Sequence, residues 1–247
     1  MKILALALVL LLSACASVGG SQNPEKALAS AKIHTELAAA YFERTQYSIA
    51  LQEVEIALRS KSNYALAYNV RGLIHLTLRE DKLAEEDFRT GLKFDENDAT
   101  IHNNFGLFLC QRGRESEAIA QFIEALKNPL YATPEIALVN AGVCSKKIGK
   151  LAEAEAYFQK ALVRSPYLPD ALFGLADVSF AKQDLAGAKS YLLRFTQRVS
   201  ELTAAQLWLA VRIERKVGDR NSEQSYALQM QKRFPDSRET QLLLHGE

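Results

Sequence analysis

The chain has 247 residues, of which 48% are hydrophobic, 24% charged and 9% aromatic, with 12 Gly and 6 Pro. This composition excludes disordered, collagen-like and disulfide-knot proteins and fits a folded protein with a substantial core. Thirty basic and 29 acidic residues give a net charge of +1, so charge does not draw the chain to nucleic acid or to an anionic membrane. The 3 Cys and 4 His show no zinc-like spacing.

The first fifteen residues have the form of a bacterial secretory signal. Lys2 gives a positive start, and residues 3–12 are an unbroken run of Ile, Leu, Ala and Val that leads into Leu-Ser-Ala-Cys, ending at Cys15. A transmembrane helix needs about 20 apolar residues, so this run is too short to be one. The Leu-Ser-Ala-Cys box predicts that residues 1–14 are a lipoprotein signal peptide and that Cys15 is lipidated. An ordinary secretory signal with an accidental Cys is the alternative.

The residues after Cys15 predict where the protein is anchored. Several acyl chains on one Cys make a stable membrane anchor. Residue 16 is Ala and not the Asp that retains lipoproteins in the inner membrane of enteric-type bacteria, so we expect lipid anchoring at the periplasmic face of the outer membrane. The stretch 16–26 is small and polar, and we interpret residues 15–30 as a lipidated flexible tether.

The rest of the sequence is helical and repetitive. Apolar residues recur at i, i+3 and i+4 and no stretch alternates like a strand, which predicts an all-α fold. Small residues recur at steps of 34, 34, 36 and 34, namely Ala50, Ala84, Ala118, Ala154 and Ala188. Two further ladders keep this period, one through Gly72, Gly106, Gly142 and Ala176 and one through Phe88, Phe122, Phe158 and Leu192. A period of 34 is typical of the tetratricopeptide repeat.

This period predicts a right-handed superhelix of about six tetratricopeptide hairpins over residues 31–236, with a tail or capping helix at 237–247. Gly or Ala lets the two helices of a hairpin approach closely, and the aromatic residue of the second helix fills the gap beside them. Helix ends are predicted by glycines after first helices, at Gly113, Gly149 and Gly218, and by prolines after second helices, at Pro129, Pro166 and Pro235.

No arrangement of residues predicts catalysis. The nucleotide-binding, serine-hydrolase and zinc-peptidase signatures are absent from the sequence. His34 and His102 occupy a position where the repeat often carries a large packing residue, so we interpret them as structural. The carboxylates at 53–55 and 85–87 are interpreted as solvated helix surface. We therefore expect a binding protein and not an enzyme, with no metal, cofactor or small-molecule substrate.

An apolar stripe with embedded Asn follows the predicted concave side of the superhelix. Its members are Leu66, Asn69, Leu73, Leu76, Asn103, Leu107, Val139, Val143, Phe173 and Phe180. Such a stripe needs a partner or a covering neighbour, and an Asn amide suits gripping the backbone of an extended peptide. The alternative is that these residues only pack inside the superhelix. Lys146 and Lys147 suggest a clamp for a C-terminal carboxylate only in part, so we expect no such clamp.

Two cysteines fall in the first helices of adjacent predicted repeats. Cys110 and Cys144 are 34 residues apart, and parallel first helices pack about 8 to 10 Å apart. Residues that lean across this contact reach the Cα separation that a disulfide needs. In an oxidising periplasm we predict a bond between them; two buried free thiols are the alternative.

Four segments of the repeats carry a resemblance to a known family. They are Tyr68-Asn-Val-Arg-Gly-Leu73, His102-Asn-Asn-Phe-Gly-Leu-Phe-Leu-Cys110, Asn140-Ala-Gly-Val-Cys144 and Arg233-Phe-Pro-Asp-Ser237. With the lipoprotein box, they resemble the type IV pilus biogenesis lipoproteins PilF and PilW over essentially the whole chain. The resemblance implies a pilotin: an outer-membrane scaffold that helps the secretin, the pore through which the pilus emerges, to localise and multimerise. It implies the secretin subunit as the protein partner.

Other classes of protein stay open at this point. A lipoprotein of the machinery that inserts outer-membrane β-barrels has a similar size, but its repeats are usually longer and less regular. An NlpI-like adaptor for peptidoglycan enzymes would also be a lipidated repeat scaffold, and partner pull-down separates it. A zymogram tests for a murein hydrolase.

Overall fold

The computed structural model describes residues 23–246, which form thirteen α-helices and no β-strand. The helices are α1 (Pro24–Glu43), α2 (Tyr47–Ser60), α3 (Ala65–Thr77), α4 (Asp81–Phe94), α5 (Ala99–Gln111), α6 (Glu115–Lys127), α7 (Pro134–Lys147), α8 (Leu151–Arg164), α9 (Pro169–Ala181), α10 (Leu185–Thr196), α11 (Ala204–Val217), α12 (Arg220–Arg233) and α13 (Arg238–Leu244). None of these helices is both long and apolar enough to cross a bilayer. The predicted signal peptide, Cys15 and the first part of the tether lie outside this range.

Helices α1 to α12 form six hairpins that stack in chain order, which confirms the predicted all-α repeat fold. The first helix of each hairpin packs closely on the first helix of the next, whereas the backbones of the second helices of neighbouring hairpins stay farther apart within residues 23–246. The stack therefore curls with the first helices on its inner side. The short helix α13 packs on α11 and α12 and covers the end of the stack.

The first helix begins earlier than the sequence analysis predicted. Helix α1 starts at Pro24, so the expectation of a tether extending to residue 30 is wrong over residues 24–30. The side chain of Asn23 accepts a hydrogen bond of 2.9 Å from the backbone N–H of Glu25. An Asn cap followed by Pro at the first helical position and an acidic first turn favours a helix start at this point.

The small-residue and aromatic ladders meet in the core. The five alanines of the first ladder are completely buried. The rings of Phe88, Phe122 and Phe158 lie against Gly72, Gly106 and Gly142, where an added Cβ atom would come within 2.6 to 2.9 Å of a ring carbon. In the first and fifth hairpins the first helix carries Ala and the partner is smaller, namely Val54 with Ala38 and Leu192 with Ala176. At these three ladder positions, glycine leaves the space that the phenylalanine ring fills.

The turn inside each hairpin contains one residue with a left-handed backbone. Three of these residues are the glycines predicted from the sequence, with φ between 76° and 88°, at Gly113, Gly149 and Gly218. The other three are not glycine and have φ between 60° and 63°, at Thr45, Arg79 and Gln183. A side chain makes this conformation costly, so these turns are held by the packing of the helices on either side.

One predicted surface carboxylate is buried. Asp87 on α4 is only 5% exposed, so the interpretation of residues 85–87 as solvated surface is wrong at this residue. Arg71 on α3 donates to Asp87 from Nε at 3.0 Å and from Nη2 at 2.7 Å, and from Nη1 to Glu55 on α2 at 2.8 Å. Burial by itself lowers the pKa of Arg71, but the hydrogen bonds to these carboxylates raise it overall. The guanidinium therefore ties together three helices.

Candidate functional site

Four asparagines from three consecutive first helices form a chain of side-chain hydrogen bonds. Asn140 on α7 donates to the Oδ1 atom of Asn103 on α5 at 3.0 Å, and Asn103 donates to Asn104 at 3.3 Å. Asn104 donates in turn to the Oδ1 atom of Asn69 on α3 at 3.0 Å. This asparagine chain links the second, third and fourth hairpins along their inner side.

The asparagine chain corrects the predicted role of its two buried members. Asn69 and Asn103 are 5% and 7% exposed and bonded to neighbouring amides, so they are not free to grip a peptide backbone. Buried polar side chains need hydrogen-bond partners, and these amides provide them for each other. Asn104 and Asn140 are half-buried, and the sequence analysis named them only within the resembling segments. The recurrence of Asn in consecutive repeats is the sequence feature that could have predicted the asparagine chain.

Cys110 and Cys144 join the same two helices, α5 and α7. They are bonded as a disulfide with Cα atoms 6.0 Å apart, within the usual range for such a bond. Both residues are buried. Lys147 donates a hydrogen bond of 2.8 Å from Nζ to the backbone carbonyl of Cys110. The third and fourth hairpins are therefore fastened at two levels, by the disulfide and by the asparagine chain.

A cavity of about 430 Å³ lies between the first helices of the fourth and fifth hairpins, and we call it the concave groove. It is lined by Val139, Asn140, Val143, Lys146, Lys147, Phe158, Asp170, Phe173, Gly174 and Asp177. The structure thus brings together three of the predicted binding residues. Val143 is 45% exposed, Phe173 is half-buried, and Val139 forms part of the floor.

The two lysines of the concave groove are already engaged. Lys146 is ion-paired with Asp177 across the groove. Lys147 bonds the carbonyl of Cys110, and its Nζ atom lies 3.7 Å from a carboxylate oxygen of Glu115. Neither ammonium is therefore free to act in a carboxylate clamp. The groove presents an apolar floor with charges of both signs at its rim, which suits apolar side chains of a peptide more than its terminus.

The other residues of the predicted stripe do not line the concave groove. Leu73 and Leu76 are half-buried and pack against the core around Phe88. Phe180 is buried, and the guanidinium carbon of Arg212 lies 4.6 Å from the centre of its ring. Two further leucines of the stripe are half-buried, at Leu66 and Leu107. The prediction of one continuous apolar stripe is therefore corrected to a local groove.

The histidines interpreted as structural have structural partners. The ring of His102 bonds Gln121 through Nδ1 at 2.7 Å and the carbonyl of Glu96 through Nε2 at 2.9 Å. His34 bonds Glu53 through Nδ1 at 2.6 Å. Between residues 23 and 246, no three or more His, Cys, Asp or Glu side chains are grouped so as to hold a metal ion.

Comparison with known proteins places the repeats in a family. The tetratricopeptide repeat family matches residues 35–100, 106–169 and 146–201. The type IV pilus assembly protein PilF of Pseudomonas aeruginosa is 30% identical over 226 residues, which are 90% of this chain and 89% of that protein. An uncharacterized protein of Haemophilus influenzae is 26% identical over 139 residues, which are 56% of this chain and 76% of that protein.

Solved structures give the same result at the level of the fold. The crystal structure of PilW, a widely conserved type IV pilus biogenesis factor, superposes with a TM-score of 0.80 at 37% identity and covers 87% of this chain and 98% of its own. The structure of pilF from Pseudomonas aeruginosa superposes with a TM-score of 0.83 at 27% identity, covering 90% of this chain and 100% of its own. The similarity therefore extends over nearly the full set of repeats.

Proposed function

The chain belongs to the PilF/PilW family of tetratricopeptide repeat proteins, and we propose that it is an outer-membrane lipoprotein acting as a pilotin in type IV pilus biogenesis. In this role it binds secretin subunits and promotes their localisation and multimerisation. The protein is a scaffold and performs no chemistry on its partner.

The observation that carries this proposal is the extent of the similarity. Single tetratricopeptide repeats occur in many unrelated proteins, so a match to one or two repeats would support only a binding role. Here the similarity covers 90% of the chain and 89% of PilF. The number and order of the hairpins are therefore shared as well.

The concave groove is the proposed binding site for the secretin. Its floor exposes Val143 and Phe173 to solvent, and their burial under a partner would release water from apolar surface. The asparagine chain and the disulfide hold the neighbouring helices in place, so the groove is formed before the partner arrives and little ordering is needed on binding.

The proposed lipid anchor limits how far the repeats extend from the membrane. Helix α1 begins at Pro24, so eight residues separate it from Cys15. An extended chain spans at most about 3.5 Å per residue, which gives a reach of roughly 30 Å. The tether would thus keep the start of the repeats within roughly 30 Å of the outer membrane, where the pore assembles.

Pilus and secretin assays test the function. Deleting the gene should abolish surface pili and leave secretin monomers that fail to form heat-resistant multimers on immunoblots. Complementation with Val143→Glu or Phe173→Glu should fail, because a charge opposes docking on an apolar floor. Leu228→Glu is the matched control, since Leu228 is an exposed aliphatic residue on α12, and should restore both readouts.

The variants also separate the proposal from its alternatives. Circular dichroism must show the wild-type helix content and melting curve for each variant before its phenotype is interpreted. Normal secretin multimers in the deletion strain would refute the pilotin role. A defect confined to β-barrel insertion or to peptidoglycan turnover would support the other classes of lipoprotein instead.

Lipidation is tested separately from secretin binding. The intact mass of the purified protein should correspond to a chain that begins at Cys15 and carries three acyl chains. Cys15→Ser should remain unprocessed or be released from the outer membrane. A wild-type mass without acyl chains would overturn the anchoring proposal and would leave the groove experiments unaffected.

A further inference from the structure

A second groove lies on the side of the molecule formed by the second helices. It runs between α6 and α8, whose backbones do not approach each other closely, and it has a volume of about 550 Å³. We call it the outer groove; it is lined by Ile123, Leu126, Leu138, Tyr157, Lys160, Val163 and Arg164. It shares no lining residue with the concave groove.

The outer groove exposes apolar side chains that the fold itself does not require. Val163 is 84% exposed and Ile123 is 42% exposed. The repeat places Arg89 and Lys127 at the matching positions of the groove between α4 and α6, one repeat earlier. The same repeat spacing matches Leu138 with His102 and Tyr157 with Gln121. The matching positions of the earlier groove are polar except for Leu92, although its helices have the same arrangement, so the repeat itself does not require apolar residues at these positions.

The cations of the outer groove are not paired. Within the described part of the chain, neither Lys160 nor Arg164 takes part in an ion pair, and the Nζ atom of Lys160 lies 5.9 Å from the centre of the Tyr157 ring. In the earlier groove, the residue that matches Lys160 is Glu124, and it is ion-paired with Lys127. The outer groove therefore combines an apolar floor with two uncompensated positive charges.

We propose that the outer groove docks an acidic amphipathic helix of a partner protein. The apolar face of that helix would cover Ile123 and Val163, and its carboxylates would pair with Lys160 and Arg164 at the rim. This is the helix-in-groove mode of recognition, in which apolar anchors supply affinity and flanking charges set partner choice and orientation. The site is separate from the proposed secretin site and does not depend on it.

A pair of synthetic peptides tests the apolar contact and the charge pairing. Each peptide has about 20 residues, long enough to form a helix in water, with Leu at i, i+4 and i+7 along one face. One peptide flanks this face with Glu and the other with Lys. Binding to the full-length protein, held in lipid nanodiscs, is measured by fluorescence anisotropy. We expect the acidic peptide to bind about tenfold more tightly than the basic one, with the difference shrinking at high salt.

Two variants locate the binding on the protein. The double variant Ile123→Gln with Val163→Gln removes the apolar anchors without changing the charge of the groove and should abolish binding of the acidic peptide. The double variant Lys160→Glu with Arg164→Glu should reverse the preference, so that the basic peptide binds more tightly. All four positions lie on helix surfaces, and circular dichroism verifies that each variant is folded.

Three results would overturn the proposal. The first is equal binding of both peptides, and the second is binding that neither double variant changes. The third is concentration-dependent dimerisation of the wild-type protein in light scattering that Ile123→Gln with Val163→Gln abolishes, because the groove would then be occupied by a second copy of the chain. Loss of secretin assembly in these variants bears on the pilotin role and not on this test.

Discussion

The ring of Phe122 lies so close to Gly106 that a Cβ atom at position 106 would be 2.6 Å from a ring carbon. Gly106 is on the first helix of the third hairpin and Phe122 is on its second, and both are buried. Because Gly106 has no side chain, there is room for the aromatic ring of Phe122.

Gly106→Ala should lower the free energy of unfolding by about 1 to 3 kcal/mol, the usual cost of forcing extra atoms into a filled core. The measurement is urea unfolding followed by circular dichroism. Adding Phe122→Leu should recover part of this loss, because the resulting pair is the Ala and Leu that the fifth hairpin already uses at Ala176 and Leu192.

A double-mutant cycle provides the control for this pair. Phe122→Leu alone leaves space beside Gly106 and should be destabilising by about 1 kcal/mol. If the two substitutions are in contact, their effects should be non-additive by at least about 0.5 kcal/mol. Strict additivity would show that the close approach of Gly106 and Phe122 does not limit stability.

The left-handed turn residues predict a stabilising substitution. Gln183 has φ of 63°, a conformation that costs a residue with a side chain about 1 kcal/mol or more. Gln183→Gly should raise the free energy of unfolding by about 0.5 kcal/mol after the added flexibility of the unfolded chain is subtracted. The reverse change, Gly149→Ala at the matching turn, should lower it by about 1 kcal/mol. A lower melting temperature for Gln183→Gly would contradict this account.

The disulfide should make the fold sensitive to reducing agents. A bond that closes a loop of 34 residues stabilises a protein by about 3 to 4 kcal/mol through lost chain entropy in the unfolded state. Dithiothreitol should therefore lower the melting temperature. The variant Cys110→Ala with Cys144→Ala should melt at the lower temperature with or without reductant.

Thiol titration checks the bond directly. Denatured, unreduced protein should contain no free thiol at Cys110 or Cys144, and reduction should release two. The expected lipidation of Cys15 removes the remaining thiol from the count. Two free thiols before reduction, mapped by alkylation and mass spectrometry, would show that the cysteines are not bonded in the isolated protein.

Lys189 should be important for the stability of the last two hairpins. Its Nζ atom donates to Glu214 at 2.8 Å and to Asp219 at 2.9 Å, and Glu214 is only 1% exposed. Lys189→Met removes a partner of a buried carboxylate and should cost about 2 to 3 kcal/mol at neutral pH. Adding Glu214→Met should restore most of the loss, because an apolar pair replaces the ionic one. An unchanged melting temperature for Lys189→Met would rule out this role.

The same cluster predicts an effect of acid. The hydrogen bond from Lys189, with those from Ser222, lowers the pKa of Asp219 from 3.8 to about 2. The stability that Asp219 contributes is thus fully present above pH 3.8 and is lost as the pH falls through about 2. In Lys189→Met the pKa of Asp219 should move toward its ordinary value, so the acid-dependent loss should be smaller and should be complete at a higher pH. Melting curves between pH 2 and 6 measure it, and coincident profiles would contradict the prediction.

The asparagine chain should be sensitive to loss of one amide. Asn103 accepts from Asn140 and donates to Asn104, so Asn103→Leu leaves a donor and an acceptor without a partner. We expect a loss of about 1 to 3 kcal/mol in the free energy of unfolding. The control Asn97→Leu changes an exposed turn residue and should have little effect. Equal effects of the two substitutions would show that the asparagine chain does not contribute to the stability of the protein.

The helical class, the repeat and the main packing rule follow from the amino-acid sequence alone. Ala and Gly recur at a fixed period, and helices built from them stack because each hairpin buries its apolar face only against its neighbours. The pairing of Gly with Phe follows from the sizes of the two side chains, which are known from the sequence. The start of α1 was also present in the sequence as Asn23-Pro24-Glu25, although the small and polar residues around it favoured a tether.

Which inner residues are open to a partner depends on how neighbouring hairpins pack, and this does not follow from the sequence. Period and polarity place Asn69, Asn103 and Val143 on the same side of the superhelix, but exposure depends on what the adjacent hairpin brings beside each residue. Neighbouring amides occupy the two asparagines, whereas the cavity between α7 and α9 leaves Val143 open. The burial of Asp87 beside Arg71 could not be predicted for the same reason. The partner of a side chain in a stacked fold lies on another helix, and the local sequence does not show how that helix packs.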